Sequence, residues 1–336
     1  MQRTSRLKNQ GFDLSSGEKW IGKWNGNPYK IIKKLGEGAT GTVYLVETRA
    51  GKAAVKIGVN KASLTSEINV LKQFSKVQGN VLGPSLIDVD DIQIHGRVFP
   101  FFCMEYLEGD NFLSFIQKKG MEWIPILMVQ LLGDLDQLHR QGWVFGDLKP
   151  ENIIVTGPPA RVRWFDVGGT TKIGRSIKEY TEFYDRGYWG MGDRRAHPSY
   201  DLFAAAMIIL HGVYDQRFEK PSFTQGEGDG KLFLMNKLME APIDKSYKRV
   251  ITQALKGEYS GAQLMKKDVM HAIDTRPFHL SYPKKKTTDM GHGTHRKRSS
   301  QQGSHKEKKP SYKVEFFLTL SFLFVSSILY LMGQWI

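Results

Sequence analysis

Cysteine is nearly absent from this chain, which has 336 residues and a single cysteine, Cys103. One cysteine excludes a disulfide within the chain and fits a reducing compartment. Because Cys103 lies in the apolar stretch 98–104, it is expected to be a small buried core residue. Residues 1–10 lack the apolar core of a secretory signal, so no signal peptide is predicted there.

Large apolar residues are almost missing between residues 283 and 313, which carry ten Lys and Arg residues against Asp289 and Glu307. A segment of this composition buries too little surface to offset the loss of chain entropy. Residues 276–313 are therefore predicted to be a basic disordered linker. Much of the formal net charge of +14 lies here.

Charge is absent from residues 316–336, where Phe, Leu, Ile and Val dominate. About 21 residues at ~1.5 Å each span about 30 Å, the thickness of a bilayer core. We therefore predict a transmembrane helix over residues 314–336, and the alternative is a buried C-terminal helix. The excess of Lys and Arg on the linker side puts the linker and the residues before it in the cytoplasm. The expected location is the cell membrane, with a single span.

Ahead of the linker, strand-like patterns give way to helical ones. Residues 1–28 are polar and form an expected N-terminal extension. Strand patterns follow at residues 29–35, 42–48 and 53–57. We then expect a helix that Ser63 caps and that carries Glu67. Helical patterns dominate the rest, above all at residues 124–139 and 202–210. This order predicts an α+β fold with a small β-rich half and a larger helical half.

Residues 147–152 read Asp-Leu-Lys-Pro-Glu-Asn and carry the densest chemical signal in the chain. Phosphoryl transfer needs a group that positions the attacking hydroxyl, a cation for the phosphate and an oxygen ligand for magnesium. Asp147, Lys149 and Asn152 supply these three groups in one loop. Taken alone, the same residues fit a helix cap and a solvated charge equally well.

A glycine-rich segment lies between two predicted strands and consists of Gly36, Glu37, Gly38, Ala39, Thr40, Gly41, Thr42 and Val43. Glycine lets the backbone come close to phosphates and point its N–H groups at them. A dinucleotide-binding turn would lead into a helix, whereas strand residues follow here, and a P-loop would end in Gly-Lys-Ser or Gly-Lys-Thr. A phosphate-binding hairpin is the favoured interpretation, and a plain glycine-rich hairpin is the alternative.

Further charged residues fit the same chemistry. Lys56 lies among the apolar residues of a predicted strand and needs a partner, which Glu67 on the next predicted helix supplies. The alternative is an edge-strand lysine that points at water. Asp166-Val167-Gly168 follows a strand-like run. The Asp166 carboxylate would be a second oxygen ligand beside Asn152, and two such ligands suit a hard cation such as Mg²⁺.

The order of these motifs resembles the eukaryotic-like (Hanks-type) Ser/Thr protein kinases. The resemblance covers residues 29–275. It implies a bilobal protein-kinase-like fold, with an N-lobe over residues 29–106 and a C-lobe over residues 107–275.

The resemblance also implies roles around ATP. Lys56 would hold the α- and β-phosphates and pair with Glu67, and Lys149 would meet the γ-phosphate. Asp147 would orient the substrate hydroxyl and accept its proton. The residues expected around adenine are Val43, Ala54, Met104, Glu105, Leu107 and Ile154.

A metal and an anchor complete what the resemblance implies. The metal would be Mg²⁺, with Mn²⁺ as a second candidate, and Asn152 and Asp166 would be its ligands. Asp201 would anchor the catalytic loop.

Three departures from the family pattern accompany the resemblance. Phe145-Gly146 replaces the His-Arg before the catalytic Asp, so a grip of that Arg on a phosphorylated activation loop is not expected. Val167 replaces the Phe of Asp-Phe-Gly, which weakens the expected packing there. No Ala-Pro-Glu is present near residues 187–189. The expected autophosphorylation sites are Thr170, Thr171, Ser176 and Thr181.

A kinase domain followed by a membrane span resembles the small membrane-anchored kinases of spore-forming bacteria, which implies a link to sporulation and activation by DNA. The predicted function is a membrane-tethered, ATP-dependent Ser/Thr protein kinase that phosphorylates proteins, itself included. Its basic surfaces are expected to bind anionic lipid or DNA, and a plain solvated tether is the alternative. A homodimer is a further expected partner. Two alternative functions are a pseudokinase scaffold that binds DNA or membrane and a small-molecule phosphotransferase.

Overall fold

The N-terminal half is built on a six-stranded antiparallel sheet. Its strands are β1 (Lys19–Ile21), β2 (Pro28–Gly38), β3 (Gly41–Thr48), β4 (Gly51–Gly58), β5 (Leu86–Ile94) and β6 (Arg97–Glu105). They lie in the order β1-β2-β3-β4-β6-β5. Tyr44, Val55 and Phe101 are fully buried in the apolar cluster of this sheet. The three predicted strands are confirmed, and β2, β3 and β4 are each longer than the pattern that predicts them.

One helix, α1 (Lys61–Phe74), packs against this sheet. Its first turn is capped by Asn60, whose side-chain oxygen accepts hydrogen bonds from the N–H groups of Ala62 and Ser63 at 2.8 and 3.3 Å. The prediction that Ser63 caps this helix is therefore wrong. The helix begins at Lys61, three residues earlier than a cap at Ser63 implies, because Asn60 already satisfies the N–H groups of the first turn. The helix buries its apolar residues at helical spacing, namely Leu64, Ile68, Leu71 and Phe74.

The predicted N-terminal extension contributes strand β1 to the sheet. β1 pairs with β2, and the ring of Trp20 stacks on Tyr29 with the ring centroids 5.0 Å apart. Trp24 is 68% exposed, and its indole N–H donates to Asp91 at 2.9 Å. The ordered N-lobe sheet thus includes residues before position 29.

The C-terminal half is mainly helical. Its helices are α2 (Phe112–Lys119), α3 (Trp123–Arg140), α4 (Pro198–Tyr214), α5 (Asp229–Glu240), α6 (Lys245–Leu255) and α7 (Ala262–Thr275). Helices α3 and α4 confirm the predicted helices at 124–139 and 202–210, and every residue from 202 to 210 is buried. The remaining elements are short strands and 3₁₀ turns. The loops between them line part of the cavity described below.

The short strands form two small sheets. β7 (Asp110–Asn111), β9 (Ile153–Thr156) and β10 (Arg161–Trp164) make a three-stranded antiparallel sheet in the order β10-β9-β7. β8 (Trp143–Val144) pairs with β11 (Thr171–Lys172). The 3₁₀ turns are Pro150–Asn152 and Glu182–Tyr184. The two halves together make the bilobal α+β arrangement that the motif order predicts.

The computed structural model describes residues 13–38, 40–74, 83–220, 229–275 and 278, all of which belong to one compact unit, residues 1–283. The predicted linker, apart from Phe278, and the predicted transmembrane helix at 314–336 lie outside the described residues. Across these described ranges, no helix is long and apolar enough to cross a membrane.

Candidate active site

A cavity of about 530 Å³ lies between the sheet and the helical lobe. Most of the predicted residues line it, namely Gly36, Glu37, Gly38, Thr40, Gly41, Val43, Ala54, Lys56, Glu67, Met104, Glu105, Leu107, Asp147, Lys149, Ile154 and Asp166. Thr42 is instead buried in β3, where it pairs with Ile57. Asn152 is buried next to Asp147. Ala39 lies outside the described residues.

The glycine-rich turn between β2 and β3 leaves room for a ligand. A Cβ atom at Gly36 or Gly38 would meet no described heavy atom within 4 Å, so open space lies in front of this backbone. A Cβ atom at Gly41 would instead lie 2.3 Å from the carbonyl oxygen of Ile57. Only glycine lets β3 and β4 approach this closely. The turn therefore fits a close approach of ligand phosphates to the backbone.

Lys56 on β4 and Glu67 on α1 form a buried ion pair. Lys56 Nζ lies 2.6 Å from Glu67 Oε2, and the two side chains are 9% and 5% exposed. Burial raises the pKa of the Glu67 carboxyl group, and the ammonium group of Lys56 opposes this rise. The pair holds a cation at the cavity wall, where it can meet an anionic ligand.

The apolar part of the cavity fits a flat aromatic ligand. Its wall includes the buried side chains of Ala54, Met104 and Leu107. Glu105 also lines the cavity, and its backbone N–H donates to the main-chain oxygen of Ser85 at 2.9 Å. That N–H group is not available to adenine.

Asp147 lies at the centre of a hydrogen-bonded cluster. Its carboxylate accepts from Lys149 Nζ at 2.5 Å and from Thr181 Oγ1 at 3.0 Å. Lys149 Nζ also donates to Thr181 Oγ1 at 3.1 Å. Charge-assisted bonds of this kind hold the carboxylate and the ammonium group side by side at the cavity wall. The cluster supplies a proton acceptor and a cation within reach of one incoming group.

Asn152 and Asp166 offer oxygen atoms to a hard cation. Asn152 Nδ2 donates to the main-chain oxygen of Asp147 at 2.9 Å, which leaves its amide oxygen for a ligand. The N–H of Gly168 donates to Asp166 Oδ1 at 3.0 Å and fixes that carboxylate. Carboxylate and amide oxygens suit Mg²⁺ or Mn²⁺. Across the described ranges, no three His, Cys, Asp or Glu residues gather closely enough to hold a metal on their own. A cation here would therefore depend on ligand oxygens as well.

Asp201 fixes the backbone of the loop that carries Asp147. It is fully buried at the first turn of α4 and accepts from the N–H groups of Phe145 and Gly146 at 2.8 and 2.9 Å. It also contacts His139, whose Nε2 lies 2.8 Å away. A carboxylate is favoured in the first turn of a helix, and this one holds the loop, whereas His197 caps α4. This is the anchoring position that the resemblance implies.

The structure explains the glycine at position 146. Gly146 has φ +86°, and a Cβ atom there would lie 2.6 Å from the main-chain oxygen of Gly169. Side chains other than glycine are strained at this φ, and here the space is also filled. The backbone at this position therefore requires glycine. The same residue also explains why this loop lacks the arginine of the family pattern.

A buried carboxylate that no motif predicts lies close to the missing Ala-Pro-Glu. Asp185 is 0% exposed and accepts from the N–H groups of Gly187 and Tyr188 at 3.1 and 2.9 Å. It also accepts from Arg194 Nε at 2.8 Å and from the Tyr200 hydroxyl at 2.8 Å. Burial and the Asp185 carboxylate raise the pKa of Tyr200, which therefore remains a donor. Asp185 ties the segment after Thr181 to helix α4.

The four predicted autophosphorylation sites differ in their surroundings. Thr170 and Thr171 are buried, and Thr171 donates to the main-chain oxygen of Gly169 at 2.8 Å. Thr181 is hydrogen-bonded to Asp147. Ser176 is exposed. In this conformation Ser176 is the accessible one of the four.

Sequence reasoning missed part of the cavity wall, namely Leu35, Leu71, Phe102, Tyr106, Gly109, Phe165, Val167 and Glu179. The apolar ones lie on or beside the predicted elements, but a pattern does not tell which face meets a ligand. Glu179 belongs to no motif. Although the residue is exposed as a whole, desolvation at the cavity wall and the carboxylates of Asp166 and Asp147 raise its pKa. The cavity is thus more acidic than the motifs indicate.

Comparisons with known proteins agree with this geometry. Residues 29–276 match the family described as the protein kinase domain. The chain is 52% identical over 262 residues to the serine/threonine-protein kinase YabT of Bacillus subtilis (strain 168), covering 77% of this chain and 75% of YabT. It is 34% identical over 142 residues to the protein kinase dsk1 of Schizosaccharomyces pombe, covering 38% of this chain and 26% of dsk1. The solved structure of vaccinia related kinase 3 supports the fold, with a TM-score of 0.58 at 14% identity, covering 79% of this chain and 92% of that one. The chain belongs to the protein kinase family, among the Hanks-type Ser/Thr kinases of bacteria.

Proposed function

We propose that this ATP-dependent Ser/Thr kinase works at the cytoplasmic face of the cell membrane and phosphorylates Ser and Thr in other proteins and in itself. The observation that carries the transfer is the hydrogen-bonded cluster of Asp147, Lys149 and Thr181. Asp147 accepts the proton of the attacking hydroxyl, and Lys149 compensates the charge on the γ-phosphate. Lys56, held by Glu67, binds the α- and β-phosphates.

Mg²⁺ is the proposed metal, and Mn²⁺ is the second candidate. When bound, such a cation neutralises phosphate charge and positions the transferred group. Asn152 and Asp166 are the residues of this chain that fit it, because both are fixed by hydrogen bonds and both keep an oxygen atom for a ligand.

The proposed membrane tether is the segment 314–336, which carries no charge from residue 316 onward. The basic residues before it would then lie at the headgroups, where anionic lipid attracts each Lys or Arg by about 1 kcal/mol. The same charges fit DNA phosphates, with an affinity that falls as salt rises. Activation by either polyanion, a role in sporulation and a homodimer stay predictions of the sequence.

The two alternative functions have less support. Gly146 and Val167 depart from the family pattern and favour a pseudokinase scaffold. Val167, however, is buried in the main core, and the polar groups needed for transfer are retained. Lys149 and the complete glycine turn disfavour a small-molecule phosphotransferase.

Label from [γ-³²P]ATP is expected to enter the 336-residue chain when the chain is held in lipid nanodiscs with Mg²⁺. Acid hydrolysis is expected to yield phosphoserine and phosphothreonine. A chelator should stop the incorporation and Mn²⁺ should restore it, because the phosphates need a cation. A Lys56→Met chain, purified in parallel, shows whether a contaminating kinase contributes. No incorporation with either cation would refute the transfer, and phosphotyrosine would refute the acceptor class.

The tether and the basic linker have a separate test. The rate of autophosphorylation is compared in neutral nanodiscs, in nanodiscs with anionic lipid, and with duplex DNA at low and high salt. We expect anionic lipid or DNA to raise the rate at low salt and high salt to cancel the effect. An unchanged rate in all of these conditions would show that neither anionic lipid nor DNA regulates the kinase. The basic linker would then be a plain solvated tether.

Thr181→Ala is expected to lower kcat by about 10- to 100-fold, because its hydroxyl group holds Asp147 and Lys149 in position. The KM for ATP should change by less than about twofold, since Thr181 does not line the nucleotide cavity. Thr181→Ser keeps the hydroxyl group and should keep the activity. The measurement is steady-state phosphorylation of an added protein substrate. If Thr181→Ala keeps its kcat and merely loses one phosphopeptide, Thr181 is a modification site and has no positioning role.

A further inference from the structure

The turn between strands β1 and β2 carries the two most exposed large apolar side chains of the described ranges. Ile21 at the end of β1 and Trp24 in the turn are each 68% exposed. Trp24 is also the one exposed tryptophan within those ranges, whereas Trp164 and Trp189 are fully buried. A single exposed apolar residue is ordinary, but two of this size three residues apart indicate a contact surface. We call residues 21–24 the apolar tip.

The apolar tip is fixed on strand β5 by buried hydrogen bonds. Asp90 is 4% exposed and accepts from the N–H groups of Trp24 and Asn25 at 2.9 and 2.8 Å. A Cβ atom at Gly22 would lie 2.3 Å from a carboxylate oxygen of Asp90, so the turn lies tightly against β5. An ordered backbone therefore holds the exposed side chains of the tip outward.

The polar groups of the apolar tip suit the edge of a lipid bilayer. The indole N–H of Trp24 donates to the Asp91 carboxylate at 2.9 Å, so the ring can enter an apolar phase without an unpaired donor. Lys23 Nζ lies 4.7 Å from the centroid of that ring. Lys19 is exposed and shares a face of β1 with Ile21. Tryptophan with flanking lysines is typical of the membrane–water interface, where the ammonium groups stay in the headgroup layer.

Three carboxylates of β5 lie next to the apolar tip and bind the turn. Asp88 accepts from Asn27 Nδ2 at 2.8 Å and from the Tyr29 hydroxyl at 2.6 Å. Asp90 and Asp91 accept from the tip itself. Their negative charges offset the attraction of the nearby lysines for anionic lipid. A membrane contact here would therefore be driven by the burial of apolar area and would not need anionic lipid.

Two apolar side chains alone give only a weak and reversible membrane contact. The proposed tether at 314–336 strengthens it, because a domain held beside the bilayer makes the contact in an intramolecular step. Between Phe278 and residue 314 the chain has 35 residues, and a stretch of this length reaches at most about 115 Å. The N-lobe is then within reach of the membrane surface.

On the basis of the proposed membrane location, we infer that the apolar tip inserts into the interface of a lipid bilayer and orients the kinase domain there. Ile21 and Trp24 enter the layer between the headgroups and the acyl chains, while Lys19 and Lys23 stay among the headgroups. The domain then has two attachments, the tether and the tip, and it no longer turns freely on the tether.

The test measures the depth of a nitroxide label at position 23 of the 336-residue chain in vesicles of zwitterionic lipid. Lys23→Cys places the label beside Trp24 and leaves both apolar side chains in place. Cys103 does not compete for the label, because it is fully buried and burial raises its pKa to about 12. Electron paramagnetic resonance compares collisions with oxygen, which concentrates in the bilayer, and with a water-soluble nickel chelate.

We expect the ratio of oxygen to nickel collisions at position 23 to be at least about fivefold higher than that of a Lys256→Cys label in the helical lobe. Residue 256 is exposed and lies outside the apolar tip. High salt should not change the ratio at position 23, because salt screens charges and not the burial of apolar area.

Two double variants show whether the apolar side chains cause the insertion. With Ile21→Ser and Trp24→Ser, the ratio at position 23 should fall to that of the label at position 256. Leu232→Ser with Met239→Ser is the matched control, because these side chains on α5 are 62% and 63% exposed. It should keep the ratio at position 23 within about twofold, since distant sites act independently. All four side chains are exposed, so thermal unfolding of both variants should match that of the parent.

Flotation of the vesicles separates this inference from the proposed tether. If the Ile21/Trp24 variant floats with the vesicles while its label returns to water, both the tip and the tether are supported. If the parent floats but its label stays in water, the tip does not insert and only the tether stands. If the parent floats and the variant does not, the tip inserts and the tether fails. A parent that does not float refutes both. Shielding of the label from oxygen and nickel alike would mean that a protein surface covers the tip, and would overturn the inference.

Discussion

Replacing Asp147 with asparagine is expected to lower phosphoryl transfer by at least about 10³-fold while ATP still binds. The asparagine keeps the shape of the side chain, and its oxygen can still accept a hydrogen bond from Lys149 or Thr181. It cannot take up a proton at neutral pH. The loop should keep its geometry, because Asn152 bonds to the main-chain oxygen at position 147 and Asp201 holds the two preceding N–H groups. The loss is therefore chemical and not structural.

The measurement is the initial rate of autophosphorylation, with binding of a fluorescent ATP analogue as the second readout. Asp136→Asn is the matched control, because it is the same substitution on α3, where the carboxylate pairs with Arg140 at 2.9 Å. A surface pair of this kind contributes less than about 1 kcal/mol, so the control should behave like the parent. If Asp147→Asn keeps more than about a tenth of the parental rate, proton transfer to this residue is not part of the reaction.

The sequence predicts the fold well where residues repeat with a clear period. Strands β2 to β4 and helices α3 and α4 follow from such repeats. Strand β1 has three residues in a polar segment, and it exists because it pairs with β2 and because Trp20 stacks on Tyr29. Neither contact leaves a periodic signal. The cap of α1 is missed for a related reason, since Asn60 and Ser63 are both good caps three residues apart and only the hydrogen bonds decide between them.

The candidate site divides along the same line. Lys56 and Glu67 can be paired from sequence because a lysine on a buried strand demands a carboxylate and the next helix offers one. Thr181 contacts Asp147 across 34 residues of chain through a segment with little regular structure, so nothing local indicates its position. For Gly146, the sequence shows only that the arginine of the family pattern is missing. The positive φ and the close carbonyl oxygen of Gly169 are properties of the folded backbone.

Asp185→Ala is expected to lower the free energy of unfolding by about 3–5 kcal/mol. The substitution leaves the Tyr200 hydroxyl and the N–H groups of Gly187 and Tyr188 without their buried acceptor. Arg194 loses its partner as well, but its side chain is 43% exposed and can be hydrated instead. The cost therefore arises mainly from the buried donors. Thermal unfolding of the 336-residue chain in detergent should shift down by about 10 °C.

Two further variants separate the loss of charge from the loss of an acceptor at this position. Asp185→Asn keeps one acceptor oxygen and removes the charge, so it should cost roughly half as much as Asp185→Ala. Asp193→Ala is the control on the same segment, because Asp193 is 70% exposed where it pairs with Arg186, and it should cost less than about 1 kcal/mol. Unfolding is followed by circular dichroism in urea. Equal stability of Asp185→Ala and Asp193→Ala would show that Asp185 is not the anchor of this segment. At temperatures where Asp185→Ala is folded, its kcat should also be lower than that of the parent. The reason is that Asp185 anchors the segment 181–185, and Thr181 at the start of this segment donates a hydrogen bond to Asp147.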